Sequence, residues 1–130
     1  MIPIKSERDL RVMRKSCEIA ATVLDKISKL AVAGVSTWDL NEAAKRLMDQ
    51  YHCRSAAYKY KCGSLKYPCH VCISVNDQVI HGIASKDVIL KDSDIVSIDC
   101  ATIYQGFVGD NTRTVYIAVS YTHLRAHETE

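Results

Sequence analysis

Two runs of β-branched and aromatic residues near the end of the chain constrain the fold more than any other feature of the sequence. The runs cover residues 95–104 and 107–119, and only Gln105 and Gly106 lie between them. Runs of this composition favour β-strands, and a two-residue connection that contains glycine favours a tight turn. The sequence therefore predicts an antiparallel hairpin whose register is fixed by its turn.

The predicted register brings two carboxylates together on one face of the hairpin. Asp99 lies opposite Thr112, and Asp110 shares the face of Thr112 because side chains alternate along a strand. Asp99 and Asp110 are then diagonal neighbours, with backbone positions roughly 7–8 Å apart. Two interpretations are open: the solvated face of a half-buried sheet, or a site for two cations about 3.5–4 Å apart. Spacing alone does not choose between them.

Two amphipathic helices are predicted before the hairpin. Ser6, with Asp9 three residues later, predicts the start of the first, which continues for about 24 residues. Gly34 is expected to end it, and Ser36 or Thr37 to begin the second. Helices that lead into a sheet predict an α+β layer structure, with two helices packed on an antiparallel sheet. The apolar stripe of the first helix is Leu10, Met13, Cys17, Ala20, Ala21, Leu24 and Ile27.

Shorter strands are expected between the second helix and the hairpin. Residues 71–75 form one candidate, and residues 79–81 form another that ends at Gly82. His81 lies where the glycine lets the chain bend. Its imidazole is either a hydrogen-bonding or acid–base group in a cleft, or a half-buried histidine with a structural role.

Composition bears on the partners and the compartment of the chain. The formal charge of +2 is too small to predict a nucleic-acid or membrane surface. The sequence shows neither a membrane helix nor a signal peptide, so we expect a cytoplasmic protein with reduced cysteines. Cys69 and Cys72 have the spacing of a zinc knuckle, but no second pair matches them. We interpret them as structural thiols, and a cysteine–zinc interaction module is the alternative.

Four ordered segments carry the most specific motifs of the chain. They read VCISVN at 71–76, VIHGI at 79–83, DIVSID at 94–99 and GFVGDNTRT at 106–114. Together they resemble the type I methionine aminopeptidases. The resemblance implies an α/β pita-bread fold, of which residues 1–119 would be the N-terminal half. Residues 120–130 keep neither a strand nor a helix period, and we expect them to be an unrelated or artefactual tail.

The resemblance also implies roles for individual residues. Asp99 and Asp110 would bind two divalent metal ions, which in this family would be cobalt, manganese, iron or zinc. His81 would be a catalytic residue that binds the substrate near the scissile bond. Tyr67 and Cys72 would line the pocket that receives the methionine side chain. The metal ions would lower the pKa of a bridging water, which would attack as hydroxide.

The implied activity is removal of the initiator methionine from nascent polypeptides, which is compatible with transient association with the ribosome. The family's site also uses a histidine and two glutamates from a second half of the domain, and no such motifs follow Val119. We therefore expect the 130-residue chain to be a fragment that is inactive alone. A non-catalytic pita-bread module that binds peptides is the second hypothesis.

Overall fold

A computed structural model describes residues 2–118, which form two helices and six strands. The tail expected at 120–130 lies outside the described residues, and the boundary predicted at 119 stays a prediction. The elements are α1 (Glu7–Leu30), α2 (Thr37–Gln50), β1 (Arg54–Ser55), β2 (Lys61–Cys62), β3 (Leu65–Lys66), β4 (Cys72–Val75), β5 (Ile95–Tyr104) and β6 (Phe107–Tyr116).

Both helices begin at a serine, as the sequence predicts. The Ser6 hydroxyl accepts a hydrogen bond from the N–H of Asp9 (3.1 Å), and the Asp9 carboxylate accepts one from the N–H of Ser6 (3.0 Å). Ser36 and Asp39 form the same reciprocal pair, so Ser36 rather than Thr37 caps α2. Neither helix of the described region is long and apolar enough to cross a membrane.

Helix α1 differs from the prediction at its end and in the face that it buries. It ends at Leu30, and Gly34 instead adopts a positive φ of 95° in the following turn. Cys17 of the predicted stripe is exposed, whereas Ser16 is buried. Ser16 is buried because its hydroxyl donates a hydrogen bond to the carbonyl of Phe107 (2.8 Å). The buried face is an apolar stripe that includes Ile19 and Val23, whereas Leu10 and Ala21 of the predicted stripe are exposed like Cys17.

Strands β5 and β6 form the predicted hairpin in the predicted register. Tyr104 pairs with Phe107, and Asp99 pairs with Thr112. The two turn residues both have positive φ, 47° and 84°, which gives a tight turn the twist of its flanking strands. Strand β6 ends at Tyr116, before the end of the predicted run.

Strand β5 is central in the larger sheet. It pairs with β6 along its whole length on one side, and with β4 and β1 on the other. Helix α1 packs on β5 and β6, and helix α2 packs on α1 and β1. Alternate β5 side chains point into the core beneath the helices, while the opposite face of the strand is partly exposed. The buried β5 residues are Val96, Ile98, Cys100 and Thr102.

Helix α1 approaches β6 closely at Gly109. A Cβ atom added there would lie 2.6 Å from the carbonyl oxygen of Ser16 and 3.1 Å from the Cβ of Ala20. Glycine is therefore required for this separation between helix and strand. Asp110 is the next residue along β6, so the contact also fixes the backbone that carries its carboxylate.

Residues 79–81 do not form the predicted strand. The backbone of His81 has a positive φ of 58°, which lies outside the β region. The apolar side chains that precede it are exposed. The segment is bonded to β4 only at the following residue, Gly82. Its N–H donates to the hydroxyl of Ser74, and its carbonyl accepts from the N–H of Ile73, so no regular ladder forms.

Asp94 anchors the chain just before β5. Its buried carboxylate accepts hydrogen bonds from the side-chain amide of Asn76 (3.0 Å) and from the N–H of Lys91 (2.9 Å), and it forms an ion pair with the Lys91 ammonium (3.1 Å). These bonds lower the pKa of Asp94 below its ordinary value of 3.8, and the hydrogen bond from Asn76 contributes most. The ionised carboxylate is therefore more favourable in the folded chain than in the unfolded one.

We expect Asp94→Asn to lower the free energy of unfolding at pH 7 by about 1.5–3 kcal/mol, the range for hydrogen bonds to a charged group. A lowered folded-state pKa gives stability that is present above pH 3.8 and is lost as the pH falls through the folded value. The difference between wild type and variant should therefore shrink below about pH 4. Urea unfolding at pH 7 and pH 3, with the exposed Asp87→Asn as control, measures it. A difference independent of pH would contradict this role.

Candidate functional site

The two predicted carboxylates lie on the same face of the hairpin, away from the helices. Asp99 pairs with Thr112, and Asp110 pairs with Ala101, so the aspartates are diagonal neighbours. Burial raises the pKa of Asp110, and a hydrogen bond with Asp99 and the charge of Asp99 raise it further. The Asp110 carboxyl therefore holds its proton to a higher pH than an isolated aspartate does, because a second negative charge so close to Asp99 is unfavourable. The same arrangement favours the binding of a cation.

Cys72 and Tyr67 adjoin this pair on the side of β4. Cys72 pairs directly with Asp99 across the ladder, and its thiol contacts the Tyr67 hydroxyl. Burial is the main cause that raises the pKa of both groups, and nearby Asp99 adds to it. Both side chains are therefore neutral at pH 7, and they border the carboxylates with weakly polar surface.

His81 is held beside β4 through the residue that follows it. The Gly82 carbonyl accepts hydrogen bonds from the Tyr67 hydroxyl (2.8 Å) and from the N–H of Ile73 (3.0 Å). The Gly82 N–H donates to the hydroxyl of Ser74 (3.0 Å). The His81 side chain is itself exposed, and none of the hydrogen bonds or ion pairs in the described residues involves it. It is therefore available to a bound molecule.

Sequence reasoning identified Gly82 as the bend at His81, but it did not predict that Ser74 and Tyr67 hold this glycine in place. The Ser74 hydroxyl accepts a hydrogen bond from the N–H of Gly82. The Gly82 carbonyl accepts one from the Tyr67 hydroxyl and one from the backbone of β4. The signal in the sequence was the glycine directly after the histidine. Its spatial partners on β4 are several residues away and could not be identified from local patterns.

The structure thus brings four of the five predicted site residues into one neighbourhood around Asp99. Asp99 interacts with Asp110, Cys72 and Tyr67, and the Tyr67 hydroxyl also donates to the carbonyl of Gly82, the residue after His81. The described residues contain no group of three or more histidine, cysteine, aspartate or glutamate side chains that could hold a metal ion. Asp99 and Asp110 by themselves do not make up such a group.

The cysteine–zinc alternative is not supported by the arrangement around Cys69. Its buried thiol faces the carbonyl of Ala84 at 4.0 Å, and burial raises its pKa. The imidazole of His70, between the two cysteines in sequence, stacks on Tyr58 with ring centroids 4.1 Å apart. A thiol that stays protonated in apolar surroundings is typical of a structural cysteine.

Comparison with known proteins adds independent information. Residues 11–129 match the model of metallopeptidase family M24. A methionine aminopeptidase of Aquifex aeolicus (strain VF5) is 38% identical over 116 residues, covering 88% of this chain and 45% of that protein. Crystal structures of methionine aminopeptidases from Thermotoga maritima and Rickettsia prowazekii have TM-scores of 0.83 and 0.84 at 30% and 34% identity.

The two structural matches cover 91% and 96% of this chain, but only 46% and 49% of the solved chains. The chain therefore spans about half the length of the relatives that it matches. Its two helices on an antiparallel sheet are the partial pita-bread fold that the motifs predicted.

Proposed function

Because the chain belongs to metallopeptidase family M24, we propose that it supplies half of the catalytic site of a methionine aminopeptidase. The substrate is the N-terminal methionine of a nascent polypeptide, in keeping with the motif resemblance, and relatives at 38–39% identity are named methionine aminopeptidases. The observation that carries the proposal is the contact between Asp99 and Asp110 on the open face of the hairpin.

The residues present fit a divalent metal. Asp99 and Asp110 provide oxygen ligands on a rigid two-stranded scaffold, and they already share a site that favours positive charge. They would hold the ions together with ligands from the rest of the enzyme. Bound ions would supply a water of lowered pKa and a polarised scissile carbonyl.

The other residues act on the substrate. His81, exposed and without a hydrogen bond in the described chain, donates a hydrogen bond to the peptide near the bond that breaks. Cys72 and Tyr67 line the methionine pocket, where neutral thiol and phenol groups suit an unbranched thioether. Tyr67 also holds the backbone next to His81, which fixes the histidine relative to the pocket.

We expect Mn²⁺ to bind weakly to the chain at the aspartate pair. Paramagnetic Mn²⁺ added to the ¹⁵N-labelled chain should selectively broaden the amide signals of Asp99, Asp110 and Thr112. Asp99→Asn and Asp110→Asn should each abolish this broadening, because one carboxylate is too weak a ligand set to retain the ion. The exposed Asp87→Asn is the matched control and should leave the broadening unchanged.

Equal broadening around exposed carboxylates throughout the chain would contradict the metal site. The catalytic half of the proposal needs the complete domain, made by joining this chain to the C-terminal half of a relative. Such a domain should release methionine from a Met-Ala-Ser peptide in a metal-dependent reaction. Binding of the peptide without release would instead favour the non-catalytic peptide-binding module.

A further inference from the structure

A groove of about 380 Å³ lies between the C-terminal part of α2 and the segment that connects β1 to β2. None of the residues proposed for the peptidase site lines it. Its volume is in the range of ordinary small-molecule sites. The groove is lined by Lys45, Met48, Asp49, Cys53, Arg54, Ser55, Tyr58, Lys59 and His70.

The charges in the groove favour an anion. Lys45, Arg54 and Lys59 line it together with one carboxylate, that of Asp49. None of these three cations takes part in the ion pairs found among residues 2–118. The +2 charge of the whole chain conceals this local excess because it averages over the entire surface.

A fixed aromatic pair stands beside these cations. The His70 and Tyr58 rings are stacked 4.1 Å apart at an angle of 18°. The Ser55 hydroxyl donates to the carbonyl of His70 (2.7 Å) and accepts from the N–H of Tyr58 (3.0 Å), so a single atom holds both residues. Asn41 accepts a further hydrogen bond from the N–H of His70 (2.6 Å). Tyr58 remains 41% exposed, and the Lys59 ammonium lies over its ring at 5.4 Å from the centroid, so a base that stacks there takes the place of this ammonium.

The imidazole of His70 has unused hydrogen-bonding capacity. Its Nδ1 atom is buried and has no partner among the described residues. Burial, and then the charge of Lys45, lower the pKa of His70, so the ring is neutral at pH 7. Glu42 and Asp49 act in the opposite direction. A buried polar atom without a partner is uncommon in native proteins.

We propose that this groove binds a nucleoside phosphate unit, either as a free nucleotide or within single-stranded RNA. The phosphate contacts Lys45 and Arg54, and the base stacks on the exposed ring of Tyr58. Cations that neutralise phosphates next to an aromatic platform are the combination that binds single-stranded nucleic acids with little sequence preference. This binding is separate from the peptidase site and does not depend on the function proposed for it.

Fluorescence anisotropy of a fluorescein-labelled octa-adenylate RNA tests the proposal with the 130-residue chain. Lys45→Gln combined with Arg54→Gln should weaken binding about tenfold at low salt. It should also make the slope of log K against log[salt] shallower by roughly 0.7 for each phosphate contact that is lost. Tyr58→Ala should weaken binding at least about fivefold, whereas Tyr58→Phe should retain it because the ring is kept. Lys15→Gln, an exposed lysine of α1, is the matched control, and circular dichroism checks that each variant is folded.

Competition with AMP, inorganic phosphate and unlabelled octa-adenylate separates the sources of the ligand. Displacement by AMP supports a free nucleotide, and displacement by the oligomer alone supports RNA. Inorganic phosphate as effective as AMP would overturn the role of the base. Absence of binding by the wild type, or an equal loss in the Lys15 control and in the groove variants, would overturn the proposal as a whole.

Discussion

Gly82→Ala is expected to destabilise the chain strongly and to displace His81. A Cβ atom at this position would lie 2.1 Å from the carbonyl oxygen of Ile73 and 2.8 Å from the Cα of Ser74. Both obstacles are backbone atoms, so no side-chain rotation can relieve the overlap. The loop must move, and it then loses the hydrogen bonds that Gly82 makes to Ile73, Ser74 and Tyr67.

The expected loss in free energy of unfolding is roughly 3 kcal/mol or more, combining overpacking with broken hydrogen bonds. Gly63→Ala is the matched control, because Gly63 has a positive φ of 65° but nothing within 4 Å of an added Cβ. It should cost only the backbone strain, about 1–2 kcal/mol. Urea unfolding measures both variants. An equal or smaller loss for Gly82→Ala would contradict the close approach to β4.

In the complete domain, His81→Ala is expected to lower kcat about 10²- to 10⁴-fold, the usual contribution of a group that transfers or shares a proton in the reaction. The thermal midpoint and the metal content should stay unchanged, because the side chain is exposed and makes no hydrogen bond within the described chain. Steady-state kinetics with Met-Ala-Ser and metal analysis of the same samples provide the two readouts.

His52→Ala is the matched control for this variant. His52 is also exposed and has the same positive φ of 58°, but it follows α2, outside the proposed site. Its kcat should equal that of the wild type. His81→Asn gives a second check, since asparagine tolerates a left-handed backbone but lacks the imidazole. If both His81 variants lost bound metal in parallel with kcat, the role of His81 would be structural rather than catalytic.

The hairpin and the helix caps were predictable because their signals are local. A two-residue turn sets the pairing of Asp99 with Thr112, and serine followed by aspartate three residues later sets each helix start. The position of Asp110 on the same face followed from alternation alone. The assignment of both aspartates to a metal required the motif resemblance, because an acidic face is also compatible with solvent.

The features that the sequence did not predict depend on contacts between distant segments. Residues 79–81 have the apolar composition of a strand, but their neighbour Gly82 is held by a serine hydroxyl and by one backbone N–H of β4. Similarly, the buried hydroxyl of Ser16 in α1 finds its hydrogen-bond acceptor in a carbonyl of the hairpin, 91 residues away. These partners, the Ser74 hydroxyl and the Phe107 carbonyl, are not visible in the local pattern of apolar and polar residues.

The close contact between α1 and Gly109 makes the helix part of the mechanical support of the proposed metal site. Ser16 and Ala20 pack directly against the strand segment that presents Asp110, although they precede it by about ninety residues. A larger side chain at Ala20 would press on Gly109 and displace the strand segment that presents Asp110, which would change the spacing of the two carboxylates. Selection on metal affinity can therefore act on a buried helix surface that touches neither metal nor substrate, and engineering of that affinity can begin there.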